Sequence, residues 1–199
     1  MRLLIASKNR GKVREIKSIT KGKLEIISPL DLPLNISILE DGISLEENAL
    51  KKALTYYRAT GIFTLGEDTA LEVDYLDGRP GIHSARFSGG GDDENRRKLL
   101  DELKEANDRS ARFRTVMTLV LRDDWIEFFE GILKGKISCV EKGNNGFGYD
   151  PIFIPAGYDK TLGEMEDWEK NEISHRSRAI KKVLDFLQKE IEVLEDFCT

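Results

Sequence analysis

Cysteine is nearly absent from this chain. Only Cys139 and Cys198 occur, far apart and in no CxxC pair. That excludes a disulfide framework and fits a reducing, cytoplasmic setting. Histidine is as scarce, and His83 and His175 are too few for a His-rich zinc site. No apolar run is long enough to span a bilayer, and the opening from Met1 to Ser7 is too short for a signal peptide, so no membrane association is expected. A surplus of basic residues is also missing. The net charge is −5, whereas a general nucleic-acid binder carries a basic face, so no polynucleotide partner is expected. The patterns GxxxxGKS, GxSxG and GxGxxG do not occur, so the chain is not a P-loop NTPase. Glutamine occurs once, at Gln188, while Lys and Glu are plentiful, the bias seen in heat-adapted proteins.

What is present is a chain of 199 residues, enough for a single domain over residues 1–199 with a real core, whole or split into two lobes. Arg2 to Ala6 reads as a buried strand, the polar run Ser7 to Lys12 as a loop, and Val13, Ile16 and Ile19 as the apolar stripe of a helix. Leu24 to Ile27 is a second strand, and residues 28 to 43, with Pro29 and Pro33, are irregular. Ser44-Leu45-Glu46-Glu47 has capping-box spacing, so a helix is expected from there to about Ala59. That spacing gives Glu47 a structural task and leaves Glu40 without one. A helix is expected from Asp92 to about Ala106, with acids at its positive end. Ala111 to Leu121 and Trp125 to Leu133 form a hairpin around Asp123-Asp124. Lys142 to Gly146 is a loop, Ile152 to Ile154 a short strand, residues 156 to 172 are mostly polar, and the last helix begins near Ser174. Strands and helices alternate early and a hairpin follows, so the fold class is α/β, a mixed β-sheet flanked by helices.

The stretch from Gly66 to Gly89 draws the chemistry together. An apolar run ends in Glu67 and Asp68, followed by the hydroxyl of Thr69. Acids at the end of a buried strand would sit at the mouth of a sheet, where α/β proteins hold ligands, and hard oxygen donors there suit Mg²⁺. Two helix starts carry cations against the helix dipole: Lys12 in the first, and His175, Arg176 and Arg178 after Ser174 in the last. A phosphate chain would turn that cost into a gain. Phe147-Gly148-Tyr149-Asp150 offers an aromatic face for a base and a glycine that admits close approach. A carboxylate metal site, cationic helix starts and an aromatic turn together describe a nucleotide site.

The motifs resemble those of the Ham1-like (RdgB-type) inosine triphosphate pyrophosphatases, nearly end to end. Ala6 to Lys12 is similar to the family's opening (T/S)xNxxK. Glu46-Glu47-Asn48-Ala49 with Lys52-Ala53 is similar to its ENA helix, and Pro80 to Arg86 to its PGxxSAR segment. Phe147 to Phe153 is similar to FGYDPIF, and Lys170-Asn171 with Ser174-His175-Arg176 to its closing K(N/S)xxSHR. The resemblance implies an elongated fold of two lobes with the active cleft between them. It implies hydrolysis of noncanonical purine nucleotides (ITP, dITP, XTP) to the monophosphate and pyrophosphate, with Mg²⁺ as cofactor and a homodimer as the assembly. Position by position, it implies that residues of the opening run (Ser7, Lys8, Asn9, Arg10, Gly11, Lys12) hold the phosphates. Asp68 binds the metal and accepts the proton of the attacking water, with Glu40 as second metal acid. Thr69 touches the phosphates, Phe147 stacks on the base, Gly148, Tyr149 and Asp150 shape the nucleoside pocket, and Lys170, His175 and Arg176 complete it. A metal-bound carboxylate is a weak base, so Asp68 is expected to position water more than to abstract a proton. The chain departs from the family where it has Glu67-Asp68-Thr69-Ala70-Leu71 for DDSGL, His83 for an aromatic, and Gly163 for alanine. Two other readings remain open: a Maf-like pyrophosphatase for pyrimidine or modified nucleotides, and a nucleotide sensor without turnover.

Overall fold

The computed structural model describes residues 1–34 and 36–196, with side chains to residue 190. Among them, seven strands form one mixed sheet: β1 (Arg2–Ile5), β2 (Glu25–Ile27), β3 (Thr64–Val73), β4 (Pro80–Gly81), β5 (Ser110–Arg122), β6 (Trp125–Ile137) and β7 (Phe153–Pro155). The order is β2-β1-β3-β5-β6-β7, with β4 added beside β3. β1 runs parallel to β2 and β3, and the other pairings are antiparallel. The helices are α1 (Arg10–Ile19), α2 (Leu45–Thr60), α3 (Asp92–Glu102), α4 (Asp167–Ile173) and α5 (His175–Asp196). The expected elements are present, with shifted ends. α3 stops at Glu102 rather than near Ala106, the hairpin extends to Ile137, and the polar stretch before the last helix contains α4.

Alternation along the long strands sorts the side chains. Directly opposed residues share a face, so Leu65 with Leu119, Glu67 with Met117, Thr69 with Thr115 and Leu71 with Phe113 form one face of β3 and β5. At one end this face joins Leu3, Ile5, Val13, Met117, Ile180 and Val183 in a core. At the other end Leu71, Val73, Leu99, Phe113, Leu133 and Phe153 build a second core. Glu67, Thr69 and Thr115 lie between them as a polar belt. The two cores define the two lobes, and β3, β5 and β6 run through both.

The structure corrects one sequence expectation. Glu67 and Asp68 do not end a strand. They sit in the middle of β3, because β5 pairs with it from Thr64 to Val73 without a break. The opening to solvent arises on the other edge. β1 leaves β3 at the Ile5–Leu65 pair, and β4 joins only at Leu71 and Glu72. Among the described residues, no strand covers Gly66 to Ala70 on that side. Asp68 and Glu67, being neighbours on a strand, point to opposite faces. Asp68 meets α2, and Glu67 meets α1 and α5.

The start of α2 follows its capping residues. Ser44 Oγ accepts from Glu47 N at 3.1 Å, and Glu47 Oε2 accepts from Ile43 N at 2.8 Å, one residue before the box would have it. Glu47 is therefore occupied at a helix start. Ser44→Ala is expected to cost about 1 kcal/mol in urea-induced unfolding, and Ser44→Asp, which caps as well, to cost much less.

Candidate active site

The gap beside β3 opens into a cleft of about 430 Å³. Ser7, Lys8, Asn9 and Lys12 reach it from the first lobe. Glu40, Asp68 and Thr69 line its middle, and Phe147 to Asp150 with Lys170, His175 and Arg176 its far side. Lys12, Asp68 and Arg176, distant in sequence, thus open onto one cavity. Arg10, which is exposed, and Gly11 do not line it. Gly11 is needed all the same, because a Cβ would come within 2.5 Å of Phe147 Cδ1.

The opening loop is held by its own polar atoms. Asn9 caps α1, its Oδ1 accepting from Lys12 N at 3.1 Å, and Asn9 N donates to Ser7 Oγ at 3.1 Å. Lys8 Nζ donates to Ile36 O at 2.9 Å, tying this loop to the segment that carries Glu40. Lys12 turns inward, its Nζ 3.5 Å from Glu67 Oε1. Burial pushes the Lys12 ammonium below its ordinary pKa despite the attraction of Glu67.

On the far side lies a buried ionic knot. Arg176 Nε and Nη2 donate to Glu67 Oε1 at 2.9 and 2.7 Å, and its Nη1 donates to Glu15. Lys170 Nζ bridges Glu15 Oε1 and Asp150 Oδ2, each at 2.5 Å. Burial opposes the charge on Glu67, but Arg176 and then Lys12 outweigh it and hold the carboxyl well below the usual range. Burial likewise opposes the charge on Lys170, and Asp150 and Glu15 overcome it. Of the cations at the last helix start, Arg176 is thus already paired with carboxylates, contrary to the uncompensated charge expected there from sequence. Arg178 turns away and donates to the carbonyls of Ile173 and Ile132. The Phe147 ring lies under Lys170 and Arg176, 4.8 and 5.4 Å from their charged centres. His175 stacks on Phe113 with ring centroids 4.6 Å apart, and its Nδ1 has no hydrogen-bond partner.

Across the sheet, Lys52 Nζ stands 3.1 Å from both Asp68 Oδ1 and Glu40 Oε1. Asn48 Nδ2 donates to Asp68 Oδ2 at 3.1 Å, while Asn48 Oδ1 accepts from Gly42 N. Asn48 and Lys52 are one helical turn apart and face the same way. Neither was singled out from sequence as a site residue. A signal existed: both fall within the stripe of Leu45, Ala49, Ala53 and Tyr56 that faces the core, where an unpaired polar group would be costly. Glu15, also missed, is one turn from Lys12 on α1. Among the described residues, no group of three or more His, Cys, Asp or Glu side chains is gathered for a metal ion.

Two outcomes follow from the knot. Arg176→Ala removes the shared partner of two buried carboxylates, leaving Glu67 to Lys12 and Glu15 to Lys170, and is expected to cost about 3 kcal/mol in urea unfolding. Acid should also act through His175. Burial first, then Arg176 and Lys170, holds its pKa well below 6.5. The unfolded chain therefore takes up the proton first, and stability falls as pH drops through about 6.5 toward the folded value. Glu67 adds its own loss as pH falls through the ordinary carboxylate range toward its lower folded value. The midpoint of thermal unfolding should drop between pH 7.5 and 5.5, and less so in His175→Gln.

Similarity to known proteins gives the family. The model of the Ham1 family matches residues 3–186. A dITP/XTP pyrophosphatase of Christiangramia forsetii is 42% identical over 191 residues, 95% of this chain and 100% of that protein. One from Elusimicrobium minutum is 44% identical over 192 residues, 92% of this chain and 98% of that protein. The solved Ham1 protein of Staphylococcus aureus superposes with a TM-score of 0.85 at 36% identity, covering 96% of this chain and 100% of that one. A match that takes in both sides of the cleft, in sequence and in backbone, means that the chain belongs to the Ham1 family.

Proposed function

We propose that the protein is a nucleoside triphosphate pyrophosphohydrolase that converts ITP, dITP and XTP to the monophosphate and pyrophosphate. The reading includes Mg²⁺ as cofactor and two copies working as a homodimer in the cytoplasm, with residues 1–199 as one domain. The observation that carries it is the convergence of Lys12, Asp68, Phe147 and Arg176 on one cleft. Relatives named dITP/XTP pyrophosphatases favour it over the Maf-like alternative.

The carboxylates fit the metal. Asp68 and Glu40 already share one cation, the Lys52 ammonium. Mg²⁺ is commonly held by one or two carboxylates plus waters and substrate phosphates, so this pair suffices without a full protein cage. When bound, the ion would spread the charge that develops on the phosphate chain. Asp68 is aimed by Lys52 and Asn48, leaving lone pairs to orient a water and receive its proton as the new P–O bond forms. Ser7, Lys8, Asn9 and Lys12 at the start of α1 suit the phosphates, with the hydroxyl of Thr69 beside them. Phe147 supplies a face for the base.

Base selection needs a donor for the oxygen at position 6. The Arg176 guanidinium is largely committed to Glu67 and Glu15. The backbone N–H groups of His175 and Arg176 open α5 and have no intrahelical partner, so they are the better donors. An adenine amino group would leave such a donor unmatched, at about 1–3 kcal/mol.

The test is a panel of nucleoside triphosphates with and without Mg²⁺, with products identified. ITP and XTP should give monophosphate and pyrophosphate only with the metal. Asp68→Asn should fold normally and lose about 10²–10⁴-fold in turnover; wild-type rates in that variant would overturn its role.

A further inference from the structure

The aromatic turn from Phe147 to Tyr149 reaches the cleft outside any helix or strand. Gly148 stands in the left-handed region, with φ +60°, where residues with a side chain are strained. Yet both of its peptide groups are fixed, and by α3, a helix outside every motif read from the sequence. Gly148 N donates to Asp92 Oδ2 at 2.9 Å, and Gly148 O accepts from Arg96 Nη1 at 2.8 Å. Asp92 and Arg96 are one helical turn apart on α3 and present the same face. Arg96 is largely buried and pairs with Asp93 through Nη2 at 2.5 Å, while its Nε, 2.9 Å from Glu141, makes an ion pair without hydrogen-bond geometry.

The helix that applies this grip is anchored in turn. Asn95 Oδ1 accepts from Ser88 N and Ser88 Oγ, each at 2.7 Å, and Asn95 Nδ2 donates to Ala85 O at 3.2 Å. Leu99 is buried in the core of the second lobe. The turn Ser84–Arg86, which α3 grips through Asn95, also receives the hydroxyl of Tyr149 on Ser84 O at 2.8 Å. The two peptides flanking Gly148 therefore set the direction in which the Phe147 ring leaves the backbone.

We propose that Asp92 and Arg96 form a backbone clamp that positions the base-stacking ring, making them positioning residues for nucleotide binding. This rests on the reading of the cleft as a purine nucleotide site. Asp92 also lines the cleft, and neither clamp residue pairs with the carboxylates at Asp68 and Glu40. Losing it should weaken binding of the ground state and the transition state alike, raising KM and sparing kcat. A stacked ring does not read base edges, so ITP and XTP should be affected equally.

The experiment compares wild type with Asp92→Ala, Asp92→Asn and Arg96→Met, measuring steady-state kinetics on ITP and XTP and the thermal midpoint of each. Asp92→Ala and Arg96→Met should raise KM about tenfold for both substrates with kcat within about twofold. Asp92→Asn keeps an acceptor for Gly148 N and should restore KM to near the wild-type value. Unchanged KM in both loss variants overturns the clamp. So does a failed rescue by Asn, or a fall in kcat together with the thermal midpoint, which would mark a general structural role. Absence of turnover on either substrate in wild type overturns the nucleotide reading itself, and the clamp with it.

Discussion

The guanidinium of Arg176 between Glu67 and Glu15 is the contact on which the site depends. It lies where the polar belt crosses the sheet, with an apolar core on each side. Three separate elements meet there: α1 through Glu15, β3 through Glu67 and α5 through Arg176. Replacing such a knot with apolar side chains is often neutral or better for stability. Its presence between two cores therefore points to use rather than to support. It lets cationic side chains line a cleft for a polyanion while the protein remains electrostatically balanced without one.

A strand's period of two distributes the acids. Glu67 and Asp68 are adjacent in the chain yet serve opposite faces, one in the ionic knot and one beside Lys52 and Asn48. Asp68 lines the cavity itself, while Glu67 acts on it only through Arg176 and Lys12, and the edge of β3 between β1 and β4 is left uncovered. Had β1 been four residues longer, it would have paired along this edge and closed the cleft. The site thus owes its existence to a short strand as much as to its polar residues.

Much of this was legible in the residues. The order of strands and helices, the cap at Ser44, the hairpin at Asp123-Asp124 and the cationic start of the last helix could all be read from local pattern and spacing. Many of the residues that line the cleft, among them Ser7, Lys12, Asp68, Phe147 and Arg176, were named through motifs. What was not legible depended on register and tertiary pairing. Nothing local says that β5 would carry β3 past Asp68, or that Arg176 would meet a carboxylate of α1 161 positions away. Asn48 and Lys52 lay within reach of sequence reasoning, as polar residues in an apolar stripe. Asp92 did not, since an acid opening a helix already has a sufficient local reason to be there.

The hairpin of β5 and β6 gives the molecule a splint. Each strand has 13 residues, and their paired register spans the length of both lobes. Swinging one lobe against the other would mean bending or tearing that ladder of backbone bonds. Any tightening around an occupant must therefore come from what surrounds the splint. The segment from Ile36 to Ile43, which carries no helix or strand and bears the solvent-facing Leu39 and Ile43, borders the cleft beside that splint and is held there by the side chains of Lys8, Asn48 and Lys52.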